Sequence, residues 1–413
     1  MTLPLIFSAL WALILLGAYL WLAYAFRFQA TSALQAILII VAAALLVRLV
    51  PEIALPVGAG YDIESYQMVG SLVLNRQDVY TSDVAIGRHP YLPLQMYWMG
   101  FSKWLAVTTH LPFVEIVKLA PIAADVAISV LLFMMLHRAS GSLQPAFLGG
   151  LLYAFNPVSI FVSAYHGQFD AIPLLCILLA LWILPRSSFA AGGWLGLGIL
   201  DKSWPVLVLP SIFYAIKSWS RRFWFLVVAV LIPLLGVAAY SLLLEAPWGA
   251  IIRTALSYNH GVGIWGYTYF FRLMSVLRPG FDAPFSWLVN NGKYVTLGAL
   301  GLIWVLRVSK QSLEGGILTL LVAFFALTHA FSIQYLVWIV PFAILSQDRV
   351  WLTRYTLAAF AYMFLAYTTL ILDMRITTLL PWPQADYFII IPAGLPAWFV
   401  AVGWLYKRLQ IRG

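Results

Sequence analysis

Two carboxylates, Asp62 and Glu64, stand one residue apart in the segment Tyr61–Tyr66, just after the second long apolar run. A carboxylate beside apolar surface holds protons more tightly than in water and can act as a general base. The two side chains diverge by roughly 200° on a helix but share a face on a strand. Either arrangement lets one carboxylate enter a cleft while the other positions it; the alternative is a pair of solvated loop acids.

A second polar segment, Tyr165–Asp170, lies at a turn between two apolar runs. Its His166, Gln168 and Asp170 side chains are types that hydrogen-bond sugar hydroxyls and phosphate oxygens. The alternative is a polar turn that only joins two helices. No His, Cys or Asp spacing around His166 matches a metal site, so these residues are not predicted to bind a metal.

A third candidate, Lys202, interrupts the apolar run 187–217. A lysine in such a run can hold an anionic head group such as a phosphate. The alternative is that Asp201 and Lys202 neutralise each other at a break between two helices.

Two aromatic-rich segments complete the set of candidates. His329, Gln334 and Tyr335 lie between two short apolar runs, and His260 lies in the segment Tyr258–Gly261. Aromatic faces beside Asn, Gln and His form sugar-binding surfaces. The alternative for the first segment is a set of interfacial aromatic residues with a satisfied histidine, which explains Tyr335 better than Gln334 and His329. The second segment is equally typical of an ordinary loop core.

The composition determines what kind of scaffold carries these residues. Of 413 residues, 63% are hydrophobic and only 9% charged, against roughly 25% charged in soluble domains. A soluble enzyme is therefore excluded, and an all-α polytopic membrane protein is predicted. The apolar runs predict 13 transmembrane helices at 4–25, 33–51, 112–136, 144–164, 170–185, 187–201, 203–217, 223–244, 293–307, 314–331, 335–347, 353–372 and 387–406.

The distribution of basic residues predicts an outer N-terminus and a cytoplasmic C-terminus. The turns assigned to the inside then hold 13 of the 24 Lys and Arg and two of the 15 acids. This topology accounts for most of the net charge of +9, so no nucleic-acid partner is expected. Two long outer loops, 52–111 and 245–292, belong to one predicted domain, 1–413. The amphipathic segment Pro93–Val107 is expected to lie in the membrane interface.

The order of these segments resembles the GT-C glycosyltransferases that use polyprenyl-phosphate sugars. In particular it is similar to the catalytic subunit of glycosylphosphatidylinositol mannosyltransferase I and its prokaryotic relatives. Five short motifs between about residues 45 and 345 carry the resemblance. They are Tyr61–Tyr66 with the acidic pair, Asp78-Val79-Tyr80 with Pro90–Leu94, Asn156-Pro157, Lys202–Pro205 and Ser332–Trp338.

Two departures from the family pattern leave the sugar open. Glu64 stands where the second Asp is usual, and Tyr165–Asp170 looks more like the His-rich turn of the lipid-linked-oligosaccharide glucosyltransferases. Mannose is favoured, with glucose or another hexose as alternatives.

The resemblance implies a GT-C-type bundle whose extracytoplasmic loops contain interfacial helices and whose active site lies on the extracytoplasmic side of the membrane. An acceptor hydroxyl would displace polyprenyl phosphate from the sugar with inversion. Asp62 would take the acceptor proton, Glu64 would orient Asp62 or the acceptor, and Lys202 would meet the leaving phosphate. Donor contacts are expected from His329, Gln334, Tyr335, His166, Gln168 and Asp170. Weaker acceptor or loop contacts are expected from Tyr61, Tyr91 and His260.

No obligatory metal or other cofactor is predicted, although the acidic pair keeps a divalent metal open as an alternative. The acceptor can be a glycolipid, a glycan or a protein, and the eukaryotic relatives suggest a small membrane partner subunit beside the surrounding lipids. The rival class is a transporter or flippase of a lipid-linked sugar. Transporters usually carry repeated halves and binding sites at the midplane, whereas this chain has no visible repeat and its polar groups gather on one predicted side. Aminoarabinose transfer to lipid A is a further alternative, but that family usually carries a large outer domain after its last spans.

Overall fold

The computed structural model describes residues 3–54, 58–256, 261–278, 280–368 and 386–410. Within these ranges the chain is helical and contains no β-strand, which confirms the all-α prediction; Val262 and Ala330 form an isolated antiparallel bridge. The α-helices are α1 (Leu3–Tyr24), α2 (Ala33–Ala54), α3 (Gly60–Leu74), α4 (Leu94–Thr109), α5 (Phe113–Ser140), α6 (Leu143–Ala154), α7 (Pro157–Ile160), α8 (Ala171–Ile183), α9 (Ser188–Asp201), α10 (Leu209–Ala215), α11 (Trp219–Leu244), α12 (Trp248–Leu256), α13 (Gly266–Leu277), α14 (Asp282–Leu306), α15 (Leu313–Leu327), α16 (Ile339–Leu345), α17 (Arg349–Ala366) and α18 (Leu395–Gln410).

Shorter helical segments of other types join several of these helices. They are the π-helices Phe161–His166 and Asp386–Ile390 and the 3₁₀-helices Trp204–Val208, Val308–Lys310, Ile333–Val337 and Pro392–Gly394.

Several helices are long and apolar enough to cross a membrane, so the protein is a multi-pass integral membrane protein. In the described part of the chain these spans are Ile6–Tyr24, Ala33–Ala54, Phe113–Ser140, Leu143–His166, Trp219–Leu244 and Phe388–Gln410. Shorter apolar stretches of ten to 17 residues are Ala171–Ile183, Trp204–Ala215, Leu313–Leu327 and Ile333–Leu345. The predicted total of 13 spans goes beyond the six long helices and stays a prediction.

The chain divides into two compact units. The central unit comprises Arg27–Phe155 and Ser159–Tyr258, and the terminal unit comprises Met1–Phe26, Asn156–Val158 and Asn259–Gly413. The single domain expected from the sequence stays a prediction.

In the central unit, α2 and α5 are joined by two buried ion pairs. The Arg48 Nε atom lies 3.0 Å from Asp125 Oδ2, and Lys118 Nζ lies 2.6 Å from Glu52 Oε2. Asp125 also accepts hydrogen bonds from Tyr153 Oη at 2.7 Å and from a serine hydroxyl of the following π-helix. A charge within the membrane is stable only when it is paired in this way.

Helices α9 and α11 pack closely because small residues lie between them. A Cβ atom on Gly192 would lie 2.4 Å from the Phe225 carbonyl oxygen, and one on Gly236 would lie 2.4 Å from Leu200 Cδ2. The contacts advance in the same direction along both helices, so α9 and α11 run parallel. Their N-termini therefore lie at the same end of the central unit.

The two predicted outer loops contain more helix than the sequence analysis assigned. The first contains α3 and α4, and α4 agrees with the amphipathic Pro93–Val107 segment; its interfacial position stays a prediction. In the second, α14 begins at Asp282, so the predicted boundary of the span at residue 293 is wrong by 11 residues. The mixture of aromatic, charged, Gly and Pro residues suggested a loop, but polar residues such as Asn290 are exposed on the helix while Leu288 and Gly292 are buried.

The core of the terminal unit is aromatic. The Trp265 indole donates a 2.7 Å hydrogen bond to the Phe325 carbonyl and stacks on Phe331, with ring centroids 4.0 Å apart. Gly261 reaches this core with a φ of +78°, and a Cβ there would lie 1.9 Å from the Phe331 oxygen. Only glycine fits this close approach with positive φ.

Removing one member of a buried ion pair should destabilise the central unit strongly. Arg48→Met leaves the Asp125 carboxylate buried without its cation, and the expected cost is about 3–5 kcal/mol of unfolding free energy. Thermal unfolding of the full chain in detergent measures this change. The double variant Arg48→Met/Asp125→Leu should recover most of the loss, and Arg27→Met, at an exposed residue, should have little effect. Equal stability of Arg48→Met and wild type would contradict the structural role of the pair.

Candidate active site

The first turn of α3 positions Asp62. The helix begins at Gly60, and the preceding Ala59 N–H donates a 3.1 Å hydrogen bond to the carbonyl of His166, the last residue of the π-helix. Asp62 therefore lies at the positive end of the helix dipole, where a carboxylate is stabilised. The same bond brings the polar turn after the π-helix against the start of α3.

One oxygen of Asp62 is held by two side chains of that turn. Asp62 Oδ2 lies 2.5 Å from His166 Nε2 and accepts a 2.8 Å hydrogen bond from Gln168 Nε2. His166 and Gln168 are buried, whereas 27% of the Asp62 side chain is exposed. The carboxylate is therefore fixed on one side and accessible on the other.

A sharp turn at Gly167 directs both side chains toward Asp62. Gly167 has a φ of +86°, which residues with a Cβ rarely adopt. A Cβ there would also lie only 3.0 Å from Lys118 Cγ, so both the backbone conformation and the packing favour glycine. Lys118 Nζ, paired with Glu52, donates a 2.9 Å hydrogen bond to the Ala164 carbonyl of the π-helix. The buried pair thus supports the segment that carries His166.

The pKa of the Asp62 carboxyl lies below its ordinary value of 3.8. Burial by itself raises this pKa, but the hydrogen bond and charge of His166, the Gln168 hydrogen bond and the charge of Lys202 outweigh it. Asp62 is therefore ionised throughout the physiological pH range.

Lys202 lies behind Gln168 in a buried chain of contacts. Its Nζ atom is 2.6 Å from Asp170 Oδ2 and donates a 3.0 Å hydrogen bond to Gln168 Oε1. The ammonium also lies 4.7 Å from the centroid of the Tyr91 ring. Because Lys202 binds the Gln168 oxygen, the amide nitrogen of Gln168 is directed to Asp62. The self-neutralised Asp201–Lys202 alternative is not the observed contact, since the Asp201 carboxylate accepts a 3.1 Å hydrogen bond from Gln95.

Glu64 diverges from Asp62, as expected for two residues spaced i, i+2 on a helix. Its carboxylate is 54% exposed and lies 3.3 Å from Arg88 Nη1. The Arg88 guanidinium also lies over the Tyr61 ring, 4.4 Å from its centroid, and is itself 24% exposed. A partly exposed cation thus contacts residues on either side of Asp62 in the sequence.

Four residues of this site were not predicted from the sequence. Arg88, His89 and Gln95 come from the connection before α4 and from its first turn, and Tyr66 follows Asp62 by one helical turn. Among the described residues, His89 Nε2 and the Tyr66 hydroxyl are buried without a hydrogen-bond partner. Burial lowers the pKa of His89 to about 4, so its ring is neutral. The run Arg88-His89-Pro90-Tyr91 was the available signal, but only Tyr91 was selected from it.

The remaining predicted site residues belong to the terminal unit. His329 Nδ1 lies 3.3 Å from Thr296 Oγ1. Gln334 is buried and accepts a hydrogen bond from Ser332. Tyr335 stacks on a neighbouring tryptophan, with centroids 4.3 Å apart. Their predicted donor contacts stay predictions, and His260 lies outside the described residues.

Within the described ranges, no three His, Cys, Asp or Glu residues lie together as ligands for a metal ion. The expectation that no metal is obligatory, with a divalent metal as the alternative, stays a prediction.

The fold and the site together define a helical membrane protein. The carboxylate at its candidate active site is held by hydrogen bonds on one side and accessible on the other. The family model of glycosyltransferase family 87 matches residues 100–332, more than half of the 413-residue chain. The chain belongs to glycosyltransferase family 87 and is a membrane glycosyltransferase. No curated protein and no solved structure matches it. The matched range includes His166, Gln168 and Lys202 but begins after Asp62. The expected relationship to glycosylphosphatidylinositol mannosyltransferase I stays a prediction.

The lowered pKa of Asp62 predicts a pH-dependent contribution to stability. A carboxylate whose pKa is depressed in the folded state stabilises the fold above its unfolded pKa and loses this effect as the pH falls through the folded pKa. The melting-temperature difference between wild type and Asp62→Asn should therefore shrink as the pH falls below about 4. Asp83→Asn, at an exposed acid of the same loop, should show no such trend. A difference between wild type and Asp62→Asn that stays constant down to pH 3 would contradict the lowered pKa.

Proposed function

We propose that this glycosyltransferase transfers a hexose, with mannose favoured, from a polyprenyl-phosphate donor to an acceptor hydroxyl, with Asp62 as the general base. The observation that carries this proposal is the Asp62 carboxylate, held at Oδ2 by His166 and Gln168 and exposed over 27% of its side chain. A general base needs an ionised, fixed acceptor that a substrate hydroxyl can reach.

The pKa of Asp62 suits an inverting displacement. A hydroxyl is weakly acidic before attack, but its proton becomes far more acidic as its oxygen bonds to the anomeric carbon. A carboxylate that stays ionised receives the proton late in this step, while the bond from the anomeric carbon to the phosphate oxygen breaks. His166 and Gln168 prevent rotation of the carboxylate and thereby keep its accessible edge toward the acceptor.

The leaving polyprenyl phosphate gains one negative charge in the transition state, and a nearby cation stabilises that charge. Lys202 lies 2.6 Å from Asp170, so the buried Asp170 carboxylate neutralises much of the Lys202 charge. Arg88, partly exposed beside Tyr61 and Glu64, is the better placed of the two to contact a phosphate. Lys202 then acts as a positioning residue that orients Gln168 and adds a weaker long-range field.

The charge distribution supports an extracytoplasmic active site. The arrangement with 13 of the 24 Lys and Arg in the inner turns puts Asp62 and Lys202 on the outer side. A lipid-linked donor would keep its tail among the membrane helices and present its sugar phosphate to this face. Glucose or another hexose remains the alternative substrate because of the Tyr165–Asp170 turn.

The proposal predicts that Asp62→Asn strongly slows transfer while donor binding persists. The assay follows labelled mannose from a synthetic polyprenyl-phosphate mannose to native membrane lipids in liposomes, and parallel reactions use the glucose and arabinose donors. Loss of a catalytic base should lower the rate by about 10²–10⁴-fold. Asp83→Asn, an exposed acid in the same loop, should retain the wild-type rate.

Three results of this assay would contradict the proposal. Transfer by Asp62→Asn at the wild-type rate would show that Asp62 is not the catalytic base. Total loss of wild-type activity with chelator would contradict the metal-independent mechanism. Label that crosses the liposome membrane without a new product, for every donor, would favour the transporter.

A second prediction distinguishes the roles of Arg88 and Lys202. Arg88→Gln should lower kcat/KM by about 100-fold, because one contact to the developing phosphate charge is lost. Arg88→Lys should recover part of this loss, and Arg76→Gln, an exposed arginine of the same connection, should have little effect. Lys202→Met should instead shift the acidic limb of the pH–rate profile to higher pH, because the ionised form of Asp62 loses the stabilising charge of Lys202. A wild-type rate for Arg88→Gln would return the phosphate role to Lys202.

A further inference from the structure

A cavity of about 430 Å³ lies in the central unit where α8 ends and α9 and α11 begin. Two arginines, hydroxyl groups and aromatic rings line it together, and none of these residues belongs to the Asp62 site. The lining residues are Arg186, Ser187, Ser188, Phe189, Ser220, Arg221 and Trp224.

The parallel packing of α9 and α11 brings two helix N-termini to this cavity. Helix α9 has 14 residues and α11 has 26, so each presents a developed positive dipole end. Neither helix has an acidic residue in its first turn. The surrounding sequence is equally free of acids, with no Asp or Glu from residue 202 to 244.

Arg221 stands at an electrostatically unfavourable place. It lies in the first turn of α11, where the dipole favours anions over cations. One guanidinium nitrogen, Nη2, donates a 2.6 Å hydrogen bond to the Leu184 carbonyl just after α8, which fixes the group at the cavity wall. A guanidinium has five N–H donors, so this contact leaves further donors for a ligand. An anion in the cavity would neutralise Arg186, Arg221 and both helix ends at once.

The aromatic residues at this end indicate where the cavity lies in the bilayer. Phe189 is 58% exposed, Trp224 50% and Trp219 74%, and the Arg222 guanidinium lies 4.8 Å from the centroid of the Trp219 ring. Exposed tryptophan beside arginine is typical of the membrane–water interface. The anions concentrated at that depth are the phosphates of lipid head groups.

We propose that this cavity binds the phosphate of an anionic membrane lipid, with Arg186 and Arg221 as the charged contacts and Ser187, Ser188 and Ser220 as neutral donors. The aromatic residues contact the glycerol and upper acyl region of the same lipid. This site is independent of the glycosyl transfer proposed for Asp62.

Native mass spectrometry of the full chain in detergent tests the site with dioleoyl phosphatidylglycerol and dioleoyl phosphatidylcholine as probes. Wild type should bind phosphatidylglycerol more tightly than phosphatidylcholine. The double variant Arg186→Gln/Arg221→Gln should weaken phosphatidylglycerol binding by about tenfold or more. Lys217→Gln, a neighbouring basic residue outside the lining, should leave it unchanged. Ser220→Phe fills the cavity while keeping both arginines, and it should also weaken binding.

Inorganic phosphate distinguishes the two sources of the anion. Displacement of phosphatidylglycerol by millimolar phosphate would support the phosphate chemistry and extend the ligand to free anions. Retention of the lipid would support a lipid-specific site. Equal affinity for the two lipids, or wild-type phosphatidylglycerol binding in both the double variant and Ser220→Phe, would overturn the proposal.

Discussion

Pairing of buried charge is the constraint on which the central unit depends. A charge among apolar helices is stable only beside an opposite charge and further hydrogen bonds. Arg48 with Asp125 and Lys118 with Glu52 join α2 to α5 at two levels, and Lys118 extends the contact to the π-helix. Because each contact joins defined residues, the membrane helices cannot slide past one another without exposing a charge to the apolar interior.

The same principle builds the candidate active site. Lys202 is neutralised by Asp170, and its remaining contact orients the Gln168 amide, which in turn holds Asp62. The groups that support Asp62 are buried and paired, whereas Asp62 itself keeps an accessible edge; they are His166, Gln168, Asp170 and Lys202. Such a preorganised arrangement loses little energy to reorganisation when charge moves during reaction. The site is therefore defined by its supporting contacts as much as by the carboxylate.

The sequence predicted the helical membrane class and most helix positions, because long apolar runs leave few alternatives. It also selected Asp62, His166, Gln168 and Lys202, since polar groups stand out against apolar neighbours. It did not predict the hydrogen bonds that connect these four side chains, because they come from three segments that lie between 34 and 140 residues apart. Arg88 was missed because a charged residue stands out less in a polar loop than in an apolar run. The extension of α14 to Asp282 was missed because exposed polar residues on a helix resemble a loop.

Helix α9 fixes the distance between the arginine-lined cavity and Lys202. It begins at Ser188 on the arginine-lined cavity and ends at Asp201, next to Lys202. Fourteen residues at about 1.5 Å each make a rod of roughly 20 Å. Its close contact with α11 through Gly192 and Gly236 leaves little freedom to bend. The length of α9 therefore sets the distance between the arginine-lined cavity and Lys202. It thereby also sets the position of Gln168, which Lys202 orients toward Asp62.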